Sequence, residues 1–231
     1  MIDRSNLKHI SFDLWLTLIK SNPLFKPLRN DLLIECFGID HPPALVSERV
    51  NQCDRFLNII NEQVGRNVHT YEILLIVLER LDVNIQEVSV EQLEHYYLRM
   101  EELFFRYHPV LIATETSHIL AGLQSKGITL NILSNTGFIQ GRTLRKLLAQ
   151  LDIGQCFSFQ LYSDEMGYSK PSAQAYHCLL ESLSHQTSIN KEAILHIGDN
   201  RIADYEGAIK FGIQAQLINS NGISLGNLFG Y

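Results

Sequence analysis

Five short apolar runs rich in β-forming residues constrain this chain most: positions 9–15, 128–134, 157–162, 194–197 and 213–218. From about residue 110 onward they alternate with segments that carry apolar residues at helical spacing, at 117–126, 138–150, 173–183 and 204–211. Alternation of this kind implies βαβ units and a parallel sheet. Strands buried on both faces read as near-continuous apolar runs, and these do. The predicted fold is therefore α/β, a Rossmann-like parallel sheet with helices on both faces.

A different texture fills the stretch from about residue 22 to 108, where no convincing strand is found. Positions 23–37, 45–64, 71–81 and 90–107 each repeat apolar residues at helical spacing. The breaks at 38–43, 65–67 and 82–87 are built from Gly, Pro, Asn and Asp, which favour turns. Leu103, Phe104, Phe105 and Tyr107 read as the core of a helical bundle. The organisation expected is a core made of residues 1–19 and 109–231, with an α-helical bundle domain at 20–108 inserted just after the first strand.

Charge and cysteine content narrow the partners. Nineteen Lys and Arg against 25 Asp and Glu leave a formal charge of −6, which argues against nucleic acid or an anionic membrane as the main partner. A local positive pocket for a small anion is compatible with that balance. Cys36, Cys53, Cys156 and Cys178 are widely spaced and form no C-x-x-C pair, so free buried thiols are expected. The polar stretch 1–8 lacks the apolar region of a signal peptide, and no apolar run approaches the roughly 20 residues of a membrane span. The compartment expected is the cytoplasm.

Open α/β sheets bind ligands at the C-terminal ends of their strands, and the polar residues there form an ordered set. The first run leads into Asp13-Leu14-Trp15-Leu16-Thr17-Leu18, placing a carboxylate where burial is costly unless it is paired. The second ends in Ser134-Asn135-Thr136-Gly137, a hydroxyl and backbone N–H groups before a helix, which suits an anion. Ser169-Lys170-Pro171 follows the third, a cation at a helix start where the dipole opposes it unless an anion is near. The fourth ends in Gly198-Asp199, with Asp204 five residues further on. Each alone reads as a cap or a common dipeptide. All four in this order are not a chance pattern.

With these residues in place, the sequence resembles the haloacid dehalogenase superfamily. Asp13 to Thr17 look like its nucleophile motif, Ser134 like its second motif, Lys170 like its third, and Gly198-Asp199 with Asp204 like its fourth. The inserted bundle is similar in position and helical character to that family's α-helical cap. The resemblance implies a phosphohydrolase that acts on a small anionic, phosphorylated substrate. Asp13 would form an aspartyl-phosphate that water hydrolyses. Thr17, Ser134, Asn135 and Lys170 would bind the phosphate, with Lys170 also neutralising Asp13. Mg²⁺ would be held by Asp13, the Trp15 carbonyl, Asp199 and, directly or through water, Asp204.

Two positions depart from the family pattern. Most phosphatases of the family carry a second Asp two residues after the nucleophile as general acid and base; this chain has Trp15, whose indole donates a hydrogen bond but exchanges no proton near neutrality. The Gly usual before the motif's Thr is Leu16, so a looser turn is expected. The leaving group would then need little protonation, or a donor would come from the insert, where Glu62, Glu101 and His108 are candidates, each also readable as a solvated residue. Two other readings stand beside it: a metal-independent 2-haloacid dehalogenase, and a low-activity phosphate-binding module. His196 reads as a satisfied core histidine, Asn200 and Arg201 as residues that cap the turn or tune the site, and Asp164 and Glu165 as loop acids or partners of Lys170.

Overall fold

A computed structural model describes residues 6–184 and 189–230. The first five residues, part of the polar N-terminal stretch and of the predicted core segment, lie outside the described residues. In chain order, β1 (His9–Phe12) is followed by the short β2 (Ile19–Lys20). Four helices come next: α1 (Phe25–Phe37), α2 (Pro43–Val64), α3 (Thr70–Arg80) and α4 (Val90–Arg106). β3 (Val110–Leu111) pairs antiparallel with β2, so a two-stranded ribbon carries the chain into and out of the helical insert. Then follow α5 (Thr116–Ser125), β4 (Thr129–Ser134), α6 (Gly141–Gln150), β5 (Phe159–Tyr162) and the one-turn α7 (Ser163–Met166). α8 (Ala173–Ser184), β6 (Ile194–Gly198), α9 (Gly207–Phe211), β7 (Gln214–Leu217) and α10 (Leu225–Phe229) complete the chain.

The five long strands form one parallel sheet in the order β5-β4-β1-β6-β7. The chain builds outward from β1 to β4 and β5, then crosses back to β6 and β7 on the other side. Ligand sites in open sheets fall at the carboxyl edge where the order reverses in this way. Phe12 is level with Ile132 and Ile197, and the Asp13 N–H donates to the Ile197 carbonyl at 2.8 Å. The register therefore delivers Asp13 to that edge.

Alternation along the strands sends side chains into two helix layers. Ile10, Phe12, Leu130, Ile132, Leu195 and Ile197 pack into a core that continues into the insert, while Leu133 and Ile194 pack with Tyr176, Leu179 and Ile213 on the other side. The insert's four helices lie within two residues of the predicted bounds, because each carries a clear apolar stripe between strong breakers. Elsewhere the edges move. The first predicted strand ends at Phe12 rather than 15 because residues 14–19 close a turn, with the Leu14 carbonyl accepting from both Leu18 and Ile19 N–H. The helix predicted from 138 starts at Gly141, whose N–H is held by Asp164. The one predicted from 204 begins earlier, as a π-helical turn at Arg201–Glu206. The ribbon, α7 and α10 are too short to show a period and were not predicted. All four cysteines are free thiols, Cys53 and Cys156 buried. Among the described residues no helix is long and apolar enough to cross a membrane.

One buried polar group in the sheet makes stability depend on pH. His9 is fully buried, with Nδ1 2.7 Å from Thr129 Oγ1, Nε2 2.8 Å from Asn131 Oδ1, and its ring stacked on Phe159. Burial pushes its pKa down from 6.5 to about 4, against a smaller opposing effect of the Asn131 hydrogen bond. Below pH 6.5 the unfolded chain takes up a proton that the folded one refuses until about pH 4, so stability falls as pH falls through that window. Between pH 7 and pH 5 the wild type should lose about 2 kcal/mol more than a His9→Asn variant, measured by urea denaturation. Equal losses in the two proteins would mean that His9 titrates normally in the fold.

Candidate active site

Immediately after β1, Asp13 enters a tight turn and remains only 7% exposed. The Leu16 N–H donates to the Ile19 carbonyl at 2.8 Å and the Leu18 N–H to the Leu14 carbonyl at 2.9 Å. Leu16 takes a left-handed φ of 57° to close this turn, with its side chain 58% exposed. The looser turn expected from Leu16 is not found; the turn closes and the leucine bears the strain, which for a residue with a Cβ costs about 1 kcal/mol.

A chain of buried charges ties three strand ends together. Lys170 Nζ lies 2.9 Å from Asp13 Oδ1 and 2.6 Å from Asp204 Oδ1, and the lysine is 1% exposed. Ser134 Oγ donates to the same Asp13 oxygen at 3.2 Å. Asp204 Oδ1 also meets His196 Nε2 at 3.1 Å, and His196 Nδ1 lies 3.0 Å from Ser11 Oγ. The Asn200 N–H donates to Asp204 Oδ2 at 2.9 Å. Asn135 does not reach Asp13; its side-chain amide brackets the Lys170 backbone, donating to the carbonyl at 2.9 Å and accepting from the N–H at 2.8 Å. The π-helical turn brings Asp204 so close beneath Gly198 that a Cβ there would overlap the carboxyl. That position needs glycine.

These contacts set the charges. Burial disfavours the Lys170 ammonium, but Asp13 and Asp204 outweigh it and raise the pKa. Burial works against the Asp204 charge as well, yet Lys170 and His196 hold that carboxyl below its usual range. Asp13 goes the other way: burial, with help from Asp204, raises it despite Lys170. Asp199 is pushed up to about 7, by burial first and then by the charges of Asp13 and Asp204. Its Oδ1 accepts a long hydrogen bond from Thr17 Oγ1 at 3.5 Å, and its backbone carbonyl accepts from Ser220 Oγ at 2.5 Å.

Carboxylate oxygens of Asp13, Asp199 and Asp204 lie within 4.8 Å of one another. One lysine faces three acids, an arrangement that favours a further cation, and an all-oxygen donor set fits Mg²⁺. Both Asp204 oxygens already accept hydrogen bonds from Lys170, His196 and Asn200. Asp13 Oδ2 and the Trp15 carbonyl accept none from the described residues.

Above the strand ends lies a cavity of about 400 Å³, walled by Asp13, Trp15, Asp199 and Lys170 below and by Arg29 and Glu62 of the insert above. Glu62, read from sequence as a solvated candidate, is half-buried here; Asn200 Nδ2 donates to its Oε1 at 2.8 Å. Burial raises the Glu62 pKa, with the Asn200 hydrogen bond opposing. The two other candidates lie elsewhere: Glu101 binds Thr143 and Lys146 at 2.7 and 3.1 Å, and His108 Nδ1 bonds the Pro109 carbonyl. Asp164 and Glu165, expected in a loop or beside Lys170, stand instead in the one-turn α7 and pair with other groups. Asp164 accepts from Thr136 Oγ1 and the Gly141 N–H, and Glu165 pairs with Arg145. His196 is the satisfied buried histidine expected, fixed between Ser11 and Asp204. Arg201 pairs with Glu206 on the surface.

Two further cavity residues stand outside the main set of site residues. Asn200 reads from sequence as a residue that caps the turn or tunes the site; it is a cap, accepting from the Ile202 and Ala203 N–H groups, and its amide also reaches the insert. Arg29 did leave a signal. Phe25, Arg29, Leu32 and Leu33 share the i, i+4, i+7, i+8 stripe of α1, so the arginine stands on the buried face.

An open parallel sheet with clustered carboxylates, a buried lysine and a cavity at its carboxyl edge defines an α/β enzyme with its site at the strand ends. The chain belongs to the haloacid dehalogenase-like hydrolases, whose family model matches residues 7–212. Haloacid dehalogenase-like hydrolase domain-containing protein 3 from Bos taurus is 30% identical over 99 residues, 43% of this chain and 36% of that protein. The match thus spans about a third of that relative's length. Among solved structures, YfnB from Bacillus subtilis bound to magnesium superposes with a TM-score of 0.69 at 19% identity, over 93% of this chain and 90% of that one. A HAD phosphatase from Thermococcus onnurineus gives 0.61 at 22% identity, over 94% and 88%. A 2-haloacid dehalogenase from Pseudomonas syringae gives 0.63 at 19%, over 94% and 89%. Phosphatase and dehalogenase neighbours share the fold equally, so fold likeness does not choose between the two reactions.

The strained turn gives a direct test. Leu16→Gly should stabilise the protein by about 0.5–1 kcal/mol, read as a raised melting temperature, because glycine adopts this φ freely and little packing is lost. A lower melting temperature would show that the exposed leucine contributes more than its strain costs.

Proposed function

We propose that the chain is a Mg²⁺-dependent phosphohydrolase that passes through an aspartyl-phosphate on Asp13. The observation that carries this reading is the cluster of Asp13, Asp199 and Asp204 around a single Lys170. A metal-free dehalogenase would leave Asp199 and Asp204 beside an anionic substrate with too little positive charge. Asp13, the Trp15 carbonyl and Asp199 would hold the ion, with Asp204 fixing their surroundings. When bound, Mg²⁺ supplies charge neutralisation for the phosphate and its ligands.

The chain's own residues account for the rest. Lys170 holds Asp13 Oδ1, which leaves Oδ2 as the attacking oxygen. Lys170, itself held by Asn135 and Asp204, offsets charge on Asp13 and on the transferring group. Thr17 and Ser134 hydroxyls stand at the same edge, ready to exchange their carboxylate contacts for phosphate oxygens. Residues 20–108 act as a cap that closes over the site, excludes water and selects the substrate. The four free thiols suit the reducing cytoplasm.

Trp15 at the usual acid position limits the leaving group. Acyl phosphates, which depart as carboxylates, need no protonation; alkyl phosphates do. Of the three candidate donors in the insert, Glu62 is the one that lines the cavity, and its raised pKa suits a proton carrier.

Acetyl phosphate should therefore be hydrolysed in the presence of Mg²⁺, and Asp13→Asn should abolish the reaction. Metal-independent chloride release from 2-chloropropionate would instead establish the dehalogenase. Mg²⁺-dependent phosphate binding without turnover would establish the binding module. On alkyl phosphates, Trp15→Asp should raise kcat at least about tenfold, part of the roughly 10²–10⁴ that a well-placed general acid contributes. Glu62→Gln should slow alkyl phosphates more than acetyl phosphate; an equal loss on both would remove Glu62 from proton transfer.

A further inference from the structure

Arg29 is the charged side chain that the chemistry so far leaves unused. It stands on the buried stripe of α1 and is 5% exposed, yet it lines the cavity that holds Asp13 and Asp199. Its guanidinium sits 4.7 Å above the ring of Phe138, which follows Ser134 at the end of β4 and Asn135 just beyond it. Nε and Nη2 both donate to Asn30 Oδ1, at 3.3 and 3.0 Å. That contact uses one edge of the fork. The other edge, between Nη1 and Nη2, has no acceptor among the described residues, and no carboxylate pairs with Arg29 there.

A buried cation without an anion is costly, and stacking on Phe138 alone would be served as well by an apolar side chain. The free edge presents two parallel N–H groups, the geometry that grips a carboxylate bidentately. Asn30 and Phe138 hold the fork in place, so little ordering is left for the moment of binding. Lys26 on the same wall is exposed and is offset by Asp54 and Glu62, which leaves the buried guanidinium matched to a single negative charge.

We propose that Arg29 binds a carboxylate carried on the leaving group, so that the substrates are small phosphorylated carboxylic acids. This rests on the phosphohydrolase reading, and binding of non-hydrolysable phosphonates separates the two. In titration calorimetry with Mg²⁺, phosphonoacetate is compared with methylphosphonate, and 3-phosphonopropionate with ethylphosphonate. Each pair differs only by the carboxylate. In at least one pair the carboxylated ligand should bind about tenfold tighter or more, the usual worth of hydrogen bonds to a charged group.

Arg29→Gln should shrink that preference to about twofold or less, while affinity for the simple alkylphosphonate stays within about twofold. Arg29→Lys keeps the charge without the fork and should also lose most of the preference, so it serves if Arg29→Gln does not fold. Alkylphosphonates that bind with no gain from the carboxylate would overturn the role of Arg29 and leave the phosphohydrolase standing. A preference that survives both variants, or an equal loss for both ligands of a pair, would overturn it too. If neither ligand class binds the wild type, the phosphate site itself fails, and the Arg29 proposal fails with it.

Discussion

The ammonium of Lys170, buried and clamped between Asp13 and Asp204, is the interaction on which the rest of the structure depends. It joins the end of β1, the loop before α8 and the π-helical turn after β6, three places far apart in sequence. None of these charges is affordable alone, since removing one partner of a buried pair costs about 3–5 kcal/mol. The supporting contacts follow from that constraint. Asn135 brackets the lysine backbone, His196 and the Asn200 N–H occupy Asp204, and Gly198 leaves room for the carboxyl. The same arrangement leaves Asp13 Oδ2 free and Asp199 short of positive charge, an electrostatic setting for a metal and a phosphate.

Much of this was legible in the sequence, and the reason is periodicity. Strands buried on both faces give apolar runs, and helices of three turns or more give stripes, so both the sheet and the helical insert could be read. Asp13, Lys170, Asp199 and Asp204 were legible as an ordered set following successive runs, since each alone also reads as a cap or a common dipeptide. The β2–β3 ribbon, α7 and α10 have too few residues to show a period. The start of the helix after β6 was misplaced because a π-helical turn breaks the 3.6-residue repeat. The upper wall of the cavity was hardest. Glu62 and Asn200 meet across 138 positions of sequence, and polar residues facing a cavity carry the same local pattern as residues facing solvent.

Trp15 links the two halves of the account. With an indole two residues after Asp13, the proposed phosphoryl-enzyme would lack the carboxyl that most phosphatases of the family use to protonate a poor leaving group. On this reading selection would pass to the insert, whose buried and half-buried charges on the cavity wall include Glu62 and Arg29. In the proposed mechanism the core would supply the nucleophile and the charge, and the insert would decide what may leave.

The central claim is that Asp13 becomes covalently phosphorylated. It is tested most directly by incubating the protein with acetyl phosphate and Mg²⁺, quenching in acid, and examining the peptide that contains Asp13 by mass spectrometry. The account predicts a phosphoryl group on Asp13 that is absent without Mg²⁺ and absent from the Asp13→Asn variant. Sustained phosphate release with that peptide never modified, or with the modification on another residue, would contradict it.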